Sequence, residues 1–178
     1  VNENIGWVGK FRFDETGEFS TPKLTSGELF KNVPASLENT LNTSGYLFLK
    51  NHVGRAGTYA NYSWTAVSQS GDFSTIENNR TLDKAIRQIK TFMLPNLNAP
   101  VEVNDDGTLT ENAIEVFENA AIGGLDQMER DVEISAFDVT IDPTQDILTT
   151  SNIVIAVAIV PVGVAKQITI NIGFAVSV

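Results

Sequence analysis

Histidine and cysteine, two residue types that often carry nucleophilic or metal chemistry, are almost absent from this chain of 178 residues. There is no cysteine, which excludes disulfides, zinc–thiolate sites, iron–sulfur clusters and thiol nucleophiles within it. The one histidine is His52, which lies between Lys50 and Arg55. A general base needs a nucleophile and an orienting acid, and the sequence places neither beside His52. We therefore interpret His52 as a surface or turn residue.

Acidic side chains are abundant, and one group of them partly matches a calcium-binding loop. In the segment 102–113, Asn104, Asp106 and Gly107 fit the third, fifth and sixth positions of such a loop. The twelfth position, which needs a bidentate glutamate, is Ala113. The segment is therefore predicted to be a structural turn. We assign no catalytic, cofactor-binding or metal-binding residue, and we expect no cofactor.

Charge is distributed unevenly along the chain. The formal net charge is −10, from 22 acidic and 12 basic residues. Residues 101–178 hold 13 acidic residues but only two basic ones, Arg130 and Lys166, and so carry a net charge of −11 against +1 for residues 1–100. This balance argues against nucleic-acid binding. The acidic part is either a solvated surface or a face that meets the near-neutral part of another copy.

The first 40 residues show no apolar pattern that would form a core. They are polar, interrupted by Pro22 and Pro34, and allow one short strand over 5–13. We predict that they form an arm or linker. A short buried strand is predicted over Tyr46–Lys50.

A loop rich in Gly, Asn and Ser is predicted over 51–73. Its aromatic residues, Tyr59, Tyr62 and Trp64, either line a binding surface or pin the loop to its own domain.

Two amphipathic helices are predicted in the middle of the chain, over 75–94 and 111–129. The first is capped by Ser74 or Thr75 and the second by Thr110. Gly123 and Gly124 fall inside the second helix, where each costs about 1 kcal/mol relative to Ala. Either these glycines allow close packing against another backbone, or the helix bends or breaks there.

Strands are predicted near the C-terminus. Residues 137–141 alternate between apolar and polar, as in a strand with one solvated face. The run Ile153–Val160 is apolar on both faces and is predicted to be a central strand; its eight residues are too few to cross a membrane, which takes about 20 in a helix. Strict alternation over 168–177 predicts a last strand. The fold class is therefore α+β, a mixed sheet packed against two amphipathic helices, with C-terminal strands.

The stretch from Tyr46 to Val178 resembles the C-terminal region of contractile tail sheath proteins. The resemblance is carried by the order and spacing of several segments rather than by any one of them. The segments are GYLFLKNHVGRAGTY (45–59), IENNRTLDKAIRQI (76–89), MLPNLNAPVEVNDDGTL (93–109), FDVTID (137–142) and LTTSNIVIAVAIVPVGVAKQITINI (148–172).

The resemblance implies a structural protein of bacteriophage tails or related contractile injection systems, without catalytic residues. Such subunits self-assemble as homo-oligomers into stacked hexameric rings, and the resulting helical sheath surrounds an inner tail tube protein. Strand exchange, a form of β-augmentation, links the subunits. In this chain the linking role would fall on the last strand, through Ile168, Ile170, Ile172, Phe174 and Val176.

The same resemblance gives the expected organisation and location. Residues 1–40 would be an arm or linker and residues 41–178 a sheath-like C-terminal α+β domain, and we expect the chain to be the C-terminal part of a longer sheath protein or a small variant. It would belong to a virion tail or contractile particle assembled in the bacterial cytoplasm, without membrane insertion. Another phage tail structural protein, such as a terminator or tube-associated protein, is the alternative. A carboxylate-dependent hydrolase is a weaker one, because acidic residues are abundant but form no motif.

Overall fold

The computed structural model describes residues 2–15, 17 and 19–172. Helices α1 to α4 span Ala35–Thr43, Ile76–Met93, Glu111–Arg130 and Ile147–Thr150. Strands β1 to β4 span Leu49–His52, Arg55–Ala60, Ile134–Ile141 and Ile155–Pro161. Short 3-10 helices cover Phe30–Asn32 and Leu94–Asn96. The predicted α+β class is confirmed.

The described strands form two separate antiparallel pairs, β1 with β2 and β3 with β4. This arrangement differs from the single mixed sheet that the sequence predicts. The reason is local. The tight turn at Val53 and Gly54, with Gly54 at φ +81, folds β2 directly back on β1, and a short turn of this kind joins only antiparallel strands. Residues 51–60 are thus a hairpin and not part of a loop.

The two long helices begin where the sequence predicts. The Thr75 hydroxyl accepts a hydrogen bond from the backbone N–H of Asn78 at 3.4 Å, and the Thr110 hydroxyl accepts one from Ala113 at 3.3 Å. Each cap satisfies a backbone donor that the first helical turn leaves unpaired. Helix α2 gives way to a 3-10 turn that contains Pro95. Helix α3 is continuous through Gly123 and Gly124.

The main core lies between the long helices and the β3–β4 pair. Its fully buried members are Ala85 of α2, Leu125 and Met128 of α3, and Ile134 of β3. Half-buried side chains of both strands pack against them; these are Phe137, Val139, Val157 and Ile159. A second cluster, at the other end of β3, joins Leu109, Ala113, Phe117 and Ile141. The sheet therefore packs on both amphipathic helices, as the sequence predicts.

The N-terminal segment lies against the first hairpin. The backbone N–H of Phe13 donates to the carbonyl oxygen of Thr58 at 2.9 Å, and the Thr58 N–H donates to the Asp14 carboxylate at 3.1 Å. The strand predicted over 5–13 is wrong, since the residues there form turns. The division between an arm at 1–40 and a domain at 41–178 stays a prediction.

Candidate assembly surface

Strand β4 is an edge strand in the described chain. It pairs with β3 over a register that runs from Ile141 opposite Ile155 to Ile134 opposite Pro161, and no other described strand pairs with it. Its second edge therefore presents backbone N–H and C=O groups without ladder partners among the described residues. Such an edge is a template for another strand.

The side chains of β4 match a central strand better than an edge strand. On one face Ile155, Val157 and Ile159 are half buried against the helices. On the other face the strand and the residue before it expose apolar groups, and the exposed fraction is 60% for Val154 and 53% for Val160. The sequence predicts a central strand here, and residues 2–15, 17 and 19–172 leave one of its edges and one of its faces uncovered.

A groove runs between the free part of β4 and the start of α2. Its volume is about 410 Å³. The strand contributes Val157 and Ile159, and the helix side contributes Phe73 and Leu82. Phe73 is itself 55% exposed. The groove thus adds an apolar wall beside the unpaired edge, so that an incoming strand would find both backbone partners and side-chain contacts.

The proposed linking residues that the structure describes are largely exposed. Ile168, Ile170 and Ile172 are 77%, 74% and 90% exposed, and residues 162–172 form no strand. They also make no backbone pairing with β4. Phe174 and Val176, the other two predicted linking residues, lie outside the described residues.

The remaining candidates for chemistry do not come together in the structure. The ring of His52 lies 5.7 Å from that of Tyr59, measured between centroids, and burial lowers the pKa of His52. In the acidic turn, the Thr108 hydroxyl and N–H donate to the Asp106 carboxylate at 2.7 and 3.1 Å, which lowers the pKa of Asp106. Gly107 takes the positive φ of +85 that this turn requires. The segment is a structural turn, as predicted.

The described residues contain neither a metal-binding cluster nor a helix that could span a membrane. No group of three or more His, Asp or Glu side chains there is placed to hold a metal ion. Within the same ranges, no helix combines the length and the apolarity that crossing a lipid bilayer requires.

Two features could not be predicted from the sequence: a buried polar cluster, and a lysine that lies against two aromatic rings. Asn4, Ser63 and Glu77 are buried, and the Asn4 amide donates hydrogen bonds to the other two, which lie 59 and 73 residues after it in the chain. Lys166 lies over the rings of Tyr62 and Trp64. The only signal in the sequence was that Lys166 is one of two basic residues after position 100.

Comparison with solved structures shows that this fold is shared with a sheath protein. The structure is similar to that of a sheath protein, solved by cryo-EM in the sheath complex of an extracellular contractile injection system, PVC, in the contracted state. The TM-score is 0.62 at 17% sequence identity, over 81% of this chain and 41% of that chain. This chain therefore spans less than half the length of that relative. The resemblance to contractile sheath proteins is confirmed at the level of the fold.

A family model gives the more particular assignment. The model described as DUF2586, C-terminal domain, matches residues 72–178, and the chain belongs to this family. The match begins just before α2 and includes α2, α3, β3 and β4; the start of α2 and β4 contribute the candidate assembly surface. A comparison with curated protein sequences finds no match.

Proposed function

We propose that the protein is a structural subunit of a contractile sheath, in a bacteriophage tail or a related contractile injection system, and not an enzyme. Its copies assemble into stacked hexameric rings around an inner tube protein. Assembly takes place in the bacterial cytoplasm and involves neither nucleic acid nor insertion into a membrane. The fold shared with a solved sheath protein supports this role.

The observation that carries the proposal is the unpaired edge of β4. Among the described residues, an apolar strand with a free edge, an apolar groove beside it and a segment of alternating exposed isoleucines are present without pairing with each other. In a monomer this leaves apolar surface in water, at a cost of about 25 cal/mol per Å². Pairing the segment after Lys166 of one copy with β4 of another removes that cost and satisfies the free backbone groups.

Alternation then decides which side chains face the acceptor subunit. In a donated strand, Ile168, Ile170 and Ile172 lie on one face, and Thr169 and Asn171 lie on the other. Phe174 and Val176 continue the apolar face. We assign the linking role to this set. Residues 1–40 act as an arm or linker to this C-terminal domain.

The test is deletion of residues 167–178, followed by sedimentation and negative-stain electron microscopy of the purified protein. The wild-type chain should form wide cylinders, and the deletion variant should remain a folded, soluble species. Cylinders of normal width from the deletion variant would overturn strand donation. Single closed rings from the wild-type chain would instead favour a terminator.

A matched pair of substitutions sharpens the test. Ile170→Asp places a charge on the apolar face of the donated strand, whereas Thr169→Asp places the same charge on the opposite face. We expect Ile170→Asp to abolish cylinders and Thr169→Asp to retain most of them. Equal effects would mean that the segment does not pair as a strand with one face buried.

A further inference from the structure

A lysine from the C-terminal segment lies against two aromatic rings of the loop after β2. The ring centroids of Tyr62 and Trp64 are 4.6 Å apart and the rings are inclined at 54°. The Lys166 Nζ lies 3.9 Å from the Trp64 centroid and 4.5 Å from the Tyr62 centroid. An ammonium group within about 6 Å of a ring centroid is attracted by the ring quadrupole, most strongly for Trp.

The ring side of this contact is held in place by its own domain. The Trp64 indole N–H donates to the side-chain oxygen of Asn42, at the end of α1, at 3.3 Å. Ser63, between the two aromatic residues, is fully buried; its carbonyl oxygen accepts from the N–H of Ile76 at 3.0 Å and its hydroxyl from the Asn4 amide at 2.9 Å. Because the loop is fixed at these points, the rings are ordered before the lysine arrives.

Among the described residues, the Lys166 ammonium group contacts the two rings and has no ionic partner. No carboxylate of the described chain lies within ion-pairing distance of Lys166, whereas Lys10, Lys50 and Lys84 each pair with a glutamate. Partial burial of the ammonium group lowers the pKa of Lys166, although the residue as a whole remains exposed. Two residues further along, the exposed alternating stretch begins at Ile168.

We propose that Tyr62 and Trp64 clamp Lys166 and so fix the point at which the C-terminal segment leaves its own domain. The inference rests on the proposed function and deepens it, because Lys166 becomes a positioning residue for the donated strand. A segment that starts from a fixed point has fewer conformations to lose when it pairs with a neighbour. The clamp therefore favours assembly without touching the acceptor subunit.

The clamp itself is tested by NMR on the unassembled full chain. Ring currents should move the Cε methylene protons of Lys166 upfield of those of the other lysines. Trp64→Leu should return them to the ordinary position, and Trp7→Leu should leave them shifted. An unshifted Lys166 in the wild-type spectrum overturns the clamp, and so does a shift that survives Trp64→Leu in a chain whose other resonances show it to be folded.

The positioning role is tested by the concentration needed for assembly. Lys166→Met should raise that concentration about threefold, which corresponds to about 0.7 kcal/mol. Lys166→Arg keeps a cation over the rings, so its assembly concentration should stay close to that of the wild type. Lys31→Met, which removes the same charge elsewhere, should have no effect. A wild-type value for Lys166→Met, or equal losses for Met and Arg, overturns the role. Deletion of 167–178 distinguishes failure of the clamp from failure of the proposed function. If the deletion abolishes assembly while Lys166→Met assembles normally, only the clamp is rejected.

Discussion

A Cβ atom added to Gly124 of α3 would lie 2.9 Å from the backbone nitrogen of Ile89 in α2. The same Cβ would lie 3.0 Å from the carbonyl carbon of Gln88. The two long helices therefore meet backbone to backbone at this point, and a side chain at position 124 would separate them. Of the two explanations for the paired glycines, close packing against a backbone is confirmed at Gly124, and the helix is not broken there.

Gly124→Ala should destabilise the fold, although Ala is the better helix former. The gain in helix propensity is at most about 1 kcal/mol, and overpacking against a backbone costs about 1–3 kcal/mol. We expect a net loss of about 1–2 kcal/mol in the free energy of unfolding, measured in urea.

Gly123→Ala is the control for that substitution. A Cβ at Gly123 meets only the ring of Phe92, at 3.1 Å, and this ring is 46% exposed and free to turn. The variant should be as stable as the wild type or more stable by up to about 1 kcal/mol. If both alanine variants shift stability in the same direction by the same amount, the helix contact does not require glycine.

The N-terminal segment should contribute to stability through one side chain. The Asn4 amide donates to the Glu77 carboxylate at 2.6 Å and to the Ser63 hydroxyl at 2.9 Å, and all three residues are buried. Asn4→Ala leaves the carboxylate of Glu77 without this donor, so we expect a loss of about 2–3 kcal/mol in urea unfolding. Asn2→Ala, which removes an exposed hydrogen bond to Val132, should cost less than about 0.5 kcal/mol. Equal costs would contradict a structural role for Asn4.

His52 should make stability depend on pH near neutrality. Burial, and then the positive charge of Lys50, lower the pKa of His52 below its usual 6.5, while Glu38 raises it and Arg55 lowers it. The unfolded chain thus binds the proton more tightly than the folded chain. The contribution of His52 is complete above pH 6.5 and is lost as the pH falls through the lowered pKa.

His52→Phe is the variant that isolates this effect, because His52 is the only histidine. The phenyl ring retains packing against Tyr59 without titrating. The wild type should lose stability relative to His52→Phe as the pH falls from neutral toward about 5. Two curves that stay parallel, together with an NMR titration midpoint at or above 6.5, would show that burial does not disfavour the charged form.

Assembly should weaken as salt increases. Exposed residues of α2 include Arg80, Arg87 and Lys90, and exposed residues of α3 include Glu111, Glu115 and Glu129. If the acidic part of one copy meets the basic helix of another, screening at about 0.5 M salt should raise the concentration needed for assembly, and replacing the three glutamates with Gln should reduce this dependence. An assembly concentration that does not change with salt would mean that only strand pairing and apolar contacts hold the copies together.

The long helices could be predicted closely because their signals are local. A threonine cap defines where each helix begins, and an apolar stripe defines which of its faces is buried. Tertiary contacts change neither. The hairpin over residues 49–60 could not be predicted in this way. Its second strand contains Gly57 at φ +118 and its turn contains Gly54, and glycines that allow this geometry also look like loop residues in a sequence.

The β4 strand shows why the assembly surface is only partly visible in one chain. Its sequence, apolar on both faces, indicates burial, whereas in the part of the chain that the structure describes one edge has no partner strand and Val160 is exposed. The two agree if burial occurs between copies. Contacts between residues far apart along the chain, such as Asn4 with Glu77 and Lys166 with Trp64, leave no periodic signal, so that only the folded structure reveals them.

The most direct test of the central claim is a cryo-EM reconstruction of the assembled wild-type protein. We expect stacked hexameric rings in which residues 167–178 of one copy form a strand against the free edge of β4 in a neighbouring copy. Rings or cylinders in which that segment pairs with β4 of its own chain, or leaves that edge unpaired, would contradict it.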